Sequence, residues 1–262
     1  MDSLPTTHTD ADLARRLEAE REFHNRKFGE EKAHGGSSAI YELPRVAYRY
    51  FEAEVRPRAM GAKVLEFGCG DSSYAVKLSQ WGGTVTAIDI SDEAVEETRR
   101  RVADAGFLNQ TTLLRMNAEE LDFPDGSFDL VVGRAILHHL DLEKAYAAIA
   151  RVLKPGGTAI FLEPLAHNPL INLYRRFTPH LRTEDEHPLT MRDLAAARRH
   201  FGHVGLRHFT LMSMGALPAA KAPRLFQAML KGLDKVDGAL FRVAPFAGRW
   251  AWTAAMVMEK GR

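Results

Sequence analysis

The chain has 262 residues, is 45% hydrophobic and 26% charged, and carries a formal net charge of +1, which suits one α/β domain with insertions or a domain plus a small cap. A balance so near neutral leaves no electrostatic footprint for nucleic acid, which demands a clearly basic domain or stripe. The single cysteine, Cys69, excludes an internal disulfide and a multi-cysteine zinc site, and no apolar run reaches the roughly 18 residues that cross a bilayer.

Met1 to Asp12 lacks the basic-then-apolar order of a secretory signal, so the cytoplasm is the expected location. A charged helix is predicted over 10–34, broken by His34-Gly35-Gly36-Ser37-Ser38, and a second from Leu43 to Val55, ahead of Pro57. Then the period changes. Lys63–Phe67 is a short apolar strand ending in Gly68-Cys69-Gly70, followed by a helix from Ser73 to Gln80 and a strand Thr84–Ile88 that ends in Asp89. Ser91 is a good N-cap for an amphipathic helix that Gly106 stops. Further strands are expected at Thr111–Arg115, Phe128–Val132 and Thr158–Leu162, with a helix Leu142–Leu153 between the last two and a turn at Lys154-Pro155-Gly156-Gly157. Strands alternating with helices at this spacing imply βαβ units and a parallel sheet covered on both faces. Beyond residue 163 the beat is lost: a loop-rich stretch to Pro188, a helix Met191–Phe201, a strand Leu206–Met212, an insertion over 215–249 and a last strand Trp250–Met258.

Gly68-Cys69-Gly70 lies at the carboxyl end of the first strand, where open α/β sheets bind ligands. Glycines there let backbone approach a ligand, and the next helix offers unpaired N–H groups. Asp89, nineteen residues after Gly70, closes the second strand, where an acid can accept both hydroxyls of a ribose. Two cofactor families use this geometry. The dinucleotide fingerprint asks for a third glycine at position 73, where this chain has Ser73, and Glu66 brings an acid two residues before the first glycine, suited to an ammonium rather than a pyrophosphate.

Val64-Leu65-Glu66-Phe67-Gly68-Cys69-Gly70 resembles the first motif of class I S-adenosylmethionine-dependent methyltransferases, and Ala87-Ile88-Asp89-Ile90-Ser91 their second. Asn117 through Leu140, with Ile136-Leu137-His138-His139-Leu140, and Arg151 to Gly157 are similar to the ubiquinone/menaquinone-biosynthesis branch of that family. The resemblance covers about residues 63–163. It implies a Rossmann-like fold: a mostly parallel seven-stranded sheet with helices on both faces, an N-terminal helical cap (1–55), a cofactor-binding core (56–163) and a C-terminal part (164–262) carrying pocket-forming insertions (164–189 and 215–249). It implies S-adenosyl-L-methionine as cofactor, with Glu66, Gly68, Cys69 and Gly70 around the methionine moiety, Asp89 on the ribose and Ile90 against adenine. Asn117, Ala118 and Glu119 would meet the adenine edge, and Gly133-Arg134 would hold the amino group through a backbone carbonyl. Ser72 and Asn117 depart from the family's glycine and aspartate; Asn still offers an acceptor to an exocyclic amine.

The sulfonium methyl is already activated, so such an enzyme mainly aligns a nucleophile and excludes water. A base is needed only where the acceptor arrives protonated. The candidates are His138 and His139 after the fourth strand, Glu163 at the end of the fifth as a substrate-orienting carboxylate, and His167 beyond it. The bland alternatives are a capped turn and a solvated loop. Adjacent histidines diverge and no third ligand is evident, so no metal is expected. Asn168-Pro169-Leu170 lacks the aromatic that methylases of nucleic-acid amino groups carry after Asn-Pro-Pro, which argues against a DNA-base acceptor. Arg175, Arg176 and Arg182 would greet an anionic substrate group or sit in solvent beside Glu184 and Asp185, and Tyr41 and Tyr48 belong to the cap. Phe226, Met229, Leu230, Leu233 and Leu240 recur at helical spacing, as a helix on the sheet or a lid, while Lys221, Arg224, Lys231 and Lys235 could instead face anionic headgroups. The expectation is methyl transfer to a small, largely apolar or aromatic acceptor. A non-catalytic cofactor-binding partner, a peptide or protein acceptor, and an NAD-type oxidoreductase stand as the rivals.

Overall fold

The computed structural model describes residues 18, 39–70, 73–177 and 187–262. The helix expected over 10–34, Ser72, Arg182, Glu184 and Asp185, most of the cap, part of the first insertion and the side chain of Tyr41 fall outside that description.

Seven strands form one sheet in the order β3-β2-β1-β4-β5-β7-β6. They are β1 (Lys63–Phe67), β2 (Thr84–Asp89), β3 (Thr111–Arg115), β4 (Phe128–Arg134), β5 (Leu153–Pro164), β6 (His203–Phe209) and β7 (Thr253–Glu259). Only β7 is antiparallel to its neighbours. The helices are α1 (Ala39–Glu42), α2 (Arg45–Ala59), α3 (Ala75–Gln80), α4 (Asp92–Asp104), α5 (Leu142–Val152), α6 (Pro169–Phe177), α7 (Met191–Ala196) and α8 (Pro223–Val243). The class expected from the sequence, a mostly parallel seven-stranded sheet covered on both faces, is the observed one.

The two faces explain why the central strands are apolar throughout. Leu65, Phe67, Val131 and Phe161 pack with Tyr146, Ile149 and Val152 of α5 on one side. Val64, Val85, Leu130 and Ile160 pack with Phe51 and Val55 of α2 and Leu78 of α3 on the other. Ser91 accepts from the Ala94 N–H, capping α4, and Asp141 accepts from Glu143 and Lys144 at the start of α5. A third cluster joins Leu43, Ile171, Met214, Phe226 and Leu230, so that the chain before the sheet and the insertion after it share one apolar seam.

Several boundaries differ from expectation: β5 takes in the turn expected at 154–157, running Leu153–Pro164, and α7 ends at Ala196 instead of Phe201. Helix α2 runs through Pro57 to Ala59, because Ala47, Phe51, Val55 and Ala59 form one buried stripe whose burial outweighs the lost hydrogen bond. Strand β6 begins at His203 and stops at Phe209, three residues early, since Thr210 takes φ +65° and a 3₁₀ run, Met212–Ala219, follows. The last strand starts at Thr253, after the 3₁₀ turn Pro245–Trp250. Helix α6 occupies a stretch expected to be loop: the Asn168 side chain accepts from the Leu170 and Ile171 N–H groups (3.1 and 3.0 Å), and Pro169 follows as first helical residue.

Candidate functional site

The carboxyl ends of β1, β2, β4 and β5 lie along one edge of the sheet. At β1 the chain turns through Gly68 (φ +77°) and Gly70 (φ +44°). A Cβ on Gly68 would lie 2.8 Å from the Ile136 side chain, so only glycine lets this loop pack on the segment after β4. Gly68 and Cys69 donate their N–H groups to the Ile88 carbonyl (3.0 and 2.9 Å), and Gly70 donates to Asp89 Oδ2 at 2.8 Å. Asp89 Oδ1 accepts from Ser91 N–H at 2.9 Å. A carboxylate has about four acceptor directions, so these bonds orient Asp89 while leaving it suited to a diol.

Glu66 is buried beneath the loop. It accepts from the Ser73 hydroxyl at 2.7 Å and the Tyr74 N–H at 2.5 Å, which secures the loop to the start of α3. Burial pushes its carboxyl up to about 7, opposed by those two donors and by the Arg134 guanidinium. Cys69 turns its thiol into the core, and burial raises it far above the ordinary thiol range. Its N–H is taken by the Ile88 carbonyl.

Arg134, at the end of β4, projects its guanidinium over Tyr74 (4.3 Å to the ring centre) and Tyr48 (5.3 Å). Tyr74 in turn donates to Glu52 at 2.9 Å. The cap helix α2 is therefore tied to the glycine loop through Arg134, Tyr74 and Glu52, of which the sequence reading singled out only Arg134, and only for its carbonyl. The signal available was an aromatic at the N-cap of the helix after the loop.

Beyond β3, Asn117 Oδ1 accepts from the Glu119 N–H at 3.0 Å. One acceptor direction of its side-chain oxygen thus serves its own turn. Glu119 is buried and its Oε1 accepts from the Asp141 N–H at 2.8 Å, fixing the start of α5. Ala118 is buried beside it, and Ile90 and Asp89 are partly exposed at the end of β2.

After β4, Ala135 adopts φ +50° and a 3₁₀ turn, Leu137–His139, follows. Glu163, wholly buried at the end of β5, organises that turn. Its Oε1 accepts from Ile136 and Leu137 N–H, both at 3.0 Å, and its Oε2 lies 2.8 Å from His138 Nδ1. The carboxylate can only accept, so Nδ1 carries the proton and Nε2 is the basic nitrogen. The expectation that Glu163 orients substrate is corrected: a residue with no exposed surface reaches an acceptor only through His138. The His139 ring stacks against His138 with centres 4.2 Å apart. His167 is exposed in the turn between β5 and α6, and no contact among the described residues brings it to the pair. No cluster of described residues suits a metal ion.

Residues 65–161 match the family model described as a methyltransferase domain. Among curated relatives, ubiquinone/menaquinone biosynthesis C-methyltransferase UbiE of Psychromonas ingrahamii is 37% identical over 121 residues, covering 44% of this chain and 48% of that protein. The chain thus aligns with about half the length of the curated relatives it matches. Two solved structures share the fold: geranyl diphosphate C-methyltransferase from Streptomyces coelicolor (TM-score 0.59, 14% identity, 85% of this chain and 83% of that one) and magnesium protoporphyrin IX methyltransferase from Synechocystis (TM-score 0.58, 16%, 92% and 98%). Residues 65–161 are thus similar to a methyltransferase domain, and the whole chain shares the fold of these solved methyltransferases. Over the aligned segment its similarity is to ubiquinone/menaquinone-biosynthesis C-methyltransferases.

Proposed function

We propose that the chain transfers a methyl group from S-adenosylmethionine to a small, largely apolar or aromatic acceptor, and that it works in the cytoplasm. The observation that carries the reading is the hydrogen bond from Gly70 to Asp89, which presets glycine loop and ribose-side acid together. The donor set fits the cofactor: an acid for a diol, an apolar Ile90 beside it, and a positive-φ loop that brings backbone close. Bound there, the cofactor supplies an activated methyl; the rest falls to the chain. Glu163 holds the His138 ring, and Nε2 takes a proton from an acceptor hydroxyl or acidic carbon. In this reading the cap (1–55) and the insertions 164–189 and 215–249 build the acceptor pocket, while 56–163 holds the cofactor.

Calorimetric titration with S-adenosylhomocysteine, with NADH as control, tests the cofactor. Micromolar binding of the first alone is expected, and binding of NADH alone would overturn the reading. Screening phenolic, quinol and isoprenoid acceptors for methyl incorporation then identifies the substrate.

A further inference from the structure

We propose that the outer face of α8, with the 3₁₀ turn that follows it, docks on an anionic lipid surface. The inference is independent of the cofactor reading and concerns a region outside residues 65–161.

Over 221–249 the chain carries six basic residues (Lys221, Arg224, Lys231, Lys235, Arg242 and Arg249), and all six are exposed. Its only acids there, Asp234 and Asp237, are both turned inward. Asp234 accepts two hydrogen bonds from Arg45 of α2, at 3.2 and 3.1 Å. Asp237, buried, accepts from the N–H groups of Leu211, Met212 and Ser213 at 2.6–3.1 Å. The outward face therefore keeps its positive charge uncompensated by any acid of its own helix, and among the described residues no ion pair engages the six.

Helical spacing sorts that face into stripes. Arg224, Lys231, Lys235 and Arg242 follow one another at seven, four and seven residues, which puts them on a single line. Leu225, Val236 and Val243, at eleven and seven, form a second line about a quarter-turn away, exposed by 55%, 48% and 80%. Between the lines stand only Ala228, Gly232 and Ala239. The strip continues past the helix in Phe246 (72% exposed) and Trp250, against whose ring Arg249 stacks at 5.2 Å. Phe226 and Leu230, on the opposite side, already fill the apolar seam, so the exposed apolar line is surplus to folding.

Cations along one rim, aliphatic and aromatic side chains along the other, and small residues between them are what an interfacial helix presents to anionic headgroups and the upper acyl region. A nucleic acid would use the cations but gain nothing from Leu225, Val236, Val243 and Phe246. A bilayer uses both. Docked this way, α8 would set the seam of Leu43 and Ile171 one helix thickness from the lipid.

Cosedimentation with vesicles of phosphatidylcholine alone and of phosphatidylcholine with phosphatidylglycerol tests the proposal on the full chain. Binding is expected only to the anionic vesicles and is weakened by salt. Each cation at a lipid surface is worth about fivefold in partitioning, so Lys231→Glu with Lys235→Glu lowers binding by at least about 25-fold. Val243→Ser with Phe246→Ser also weakens it, and both pairs keep the thermal midpoint of the parent. Failure to bind anionic vesicles at low salt, or binding that neither pair changes, overturns the proposal. So does heparin binding without vesicle binding, or a self-association that the apolar pair abolishes, since each gives the face another occupant. None of these results depends on S-adenosylhomocysteine binding.

Discussion

The two halves of the sheet edge are built by different means. On the β1–β2 side the contacts are short in sequence: Gly70 to Asp89, Ser91 to Asp89, Glu66 to Ser73 and Tyr74. On the β4–β5 side and in the insertions they are long: Glu163 back to Ile136, Leu137 and His138, and Arg45 of α2 across to Asp234 of α8. A half whose two carboxylates are held by neighbouring loop residues is dictated by a short motif and tolerates little variation. A half held by distant side chains can be rebuilt around a different acceptor without disturbing the first, in keeping with specificity carried on segments outside a rigid scaffold.

The largest effect expected to sharpen this contrast is on turnover. His138→Ala should lower kcat by about 10²–10⁴-fold for an acceptor that must lose a proton, while S-adenosylhomocysteine affinity, measured by calorimetry, stays put. A loss in affinity equal to the loss in rate would merge the two halves. Glu163→Ala comes next: it orphans two buried N–H groups and frees the His138 ring, so urea unfolding should show a loss of about 2–5 kcal/mol. Glu163→Gln should retain part of that stability yet lower kcat, because Gln can present an N–H rather than an acceptor to Nδ1.

Glu66 offers a test by pH. Its carboxyl is raised from 4.5 to about 7 in the folded chain, so the native state holds a proton that the unfolded chain has released. The associated stability is complete below about pH 4.5 and is lost as pH rises through about 7, an effect on the order of 3 kcal/mol. Thermal unfolding from pH 5 to 8 should therefore decline more steeply in the parent than in Glu66→Gln; parallel curves would remove the proton from Glu66. The smallest effect is expected at the ribose-side acid, where Asp89→Ala weakens S-adenosylhomocysteine binding by about 1–3 kcal/mol.

What the sequence made legible follows the same division. Strands β1, β2 and β4 were visible as largely apolar runs ending at glycine or acid, since a strand buried on both faces leaves a nearly unbroken signature. The fold class followed from their alternation with helices. The role of Glu163 was not legible: it depends on a carboxylate reaching a turn some 25 residues upstream, and periodicity carries no trace of such a contact. The bond of Asn117 within its own turn was not legible either, because an Asx side chain serves a local N–H as readily as a ligand. Strand β6 was placed three residues late because Leu206 to Met212 is apolar enough to continue, and only the left-handed Thr210 ends it. Helix α6 was, by contrast, readable and missed, for Asn168-Pro169 is a cap followed by a first-turn proline.

The insertion of β7 between β5 and β6 also sets the order in which the molecule can assemble. Leu162 of β5 faces Ala255, and Leu206 of β6 faces Met256, so β6 has no partner, and β5 only β4, until the segment from Thr253 onward has left the ribosome. Strands β1 to β4 wait less, since their mutual pairings need no chain beyond Arg134. During translation the nucleotide-side half can zip up while β5 exposes an apolar edge that waits for its mate, and that edge is where a chaperone or a misfolded neighbour would find the nascent chain.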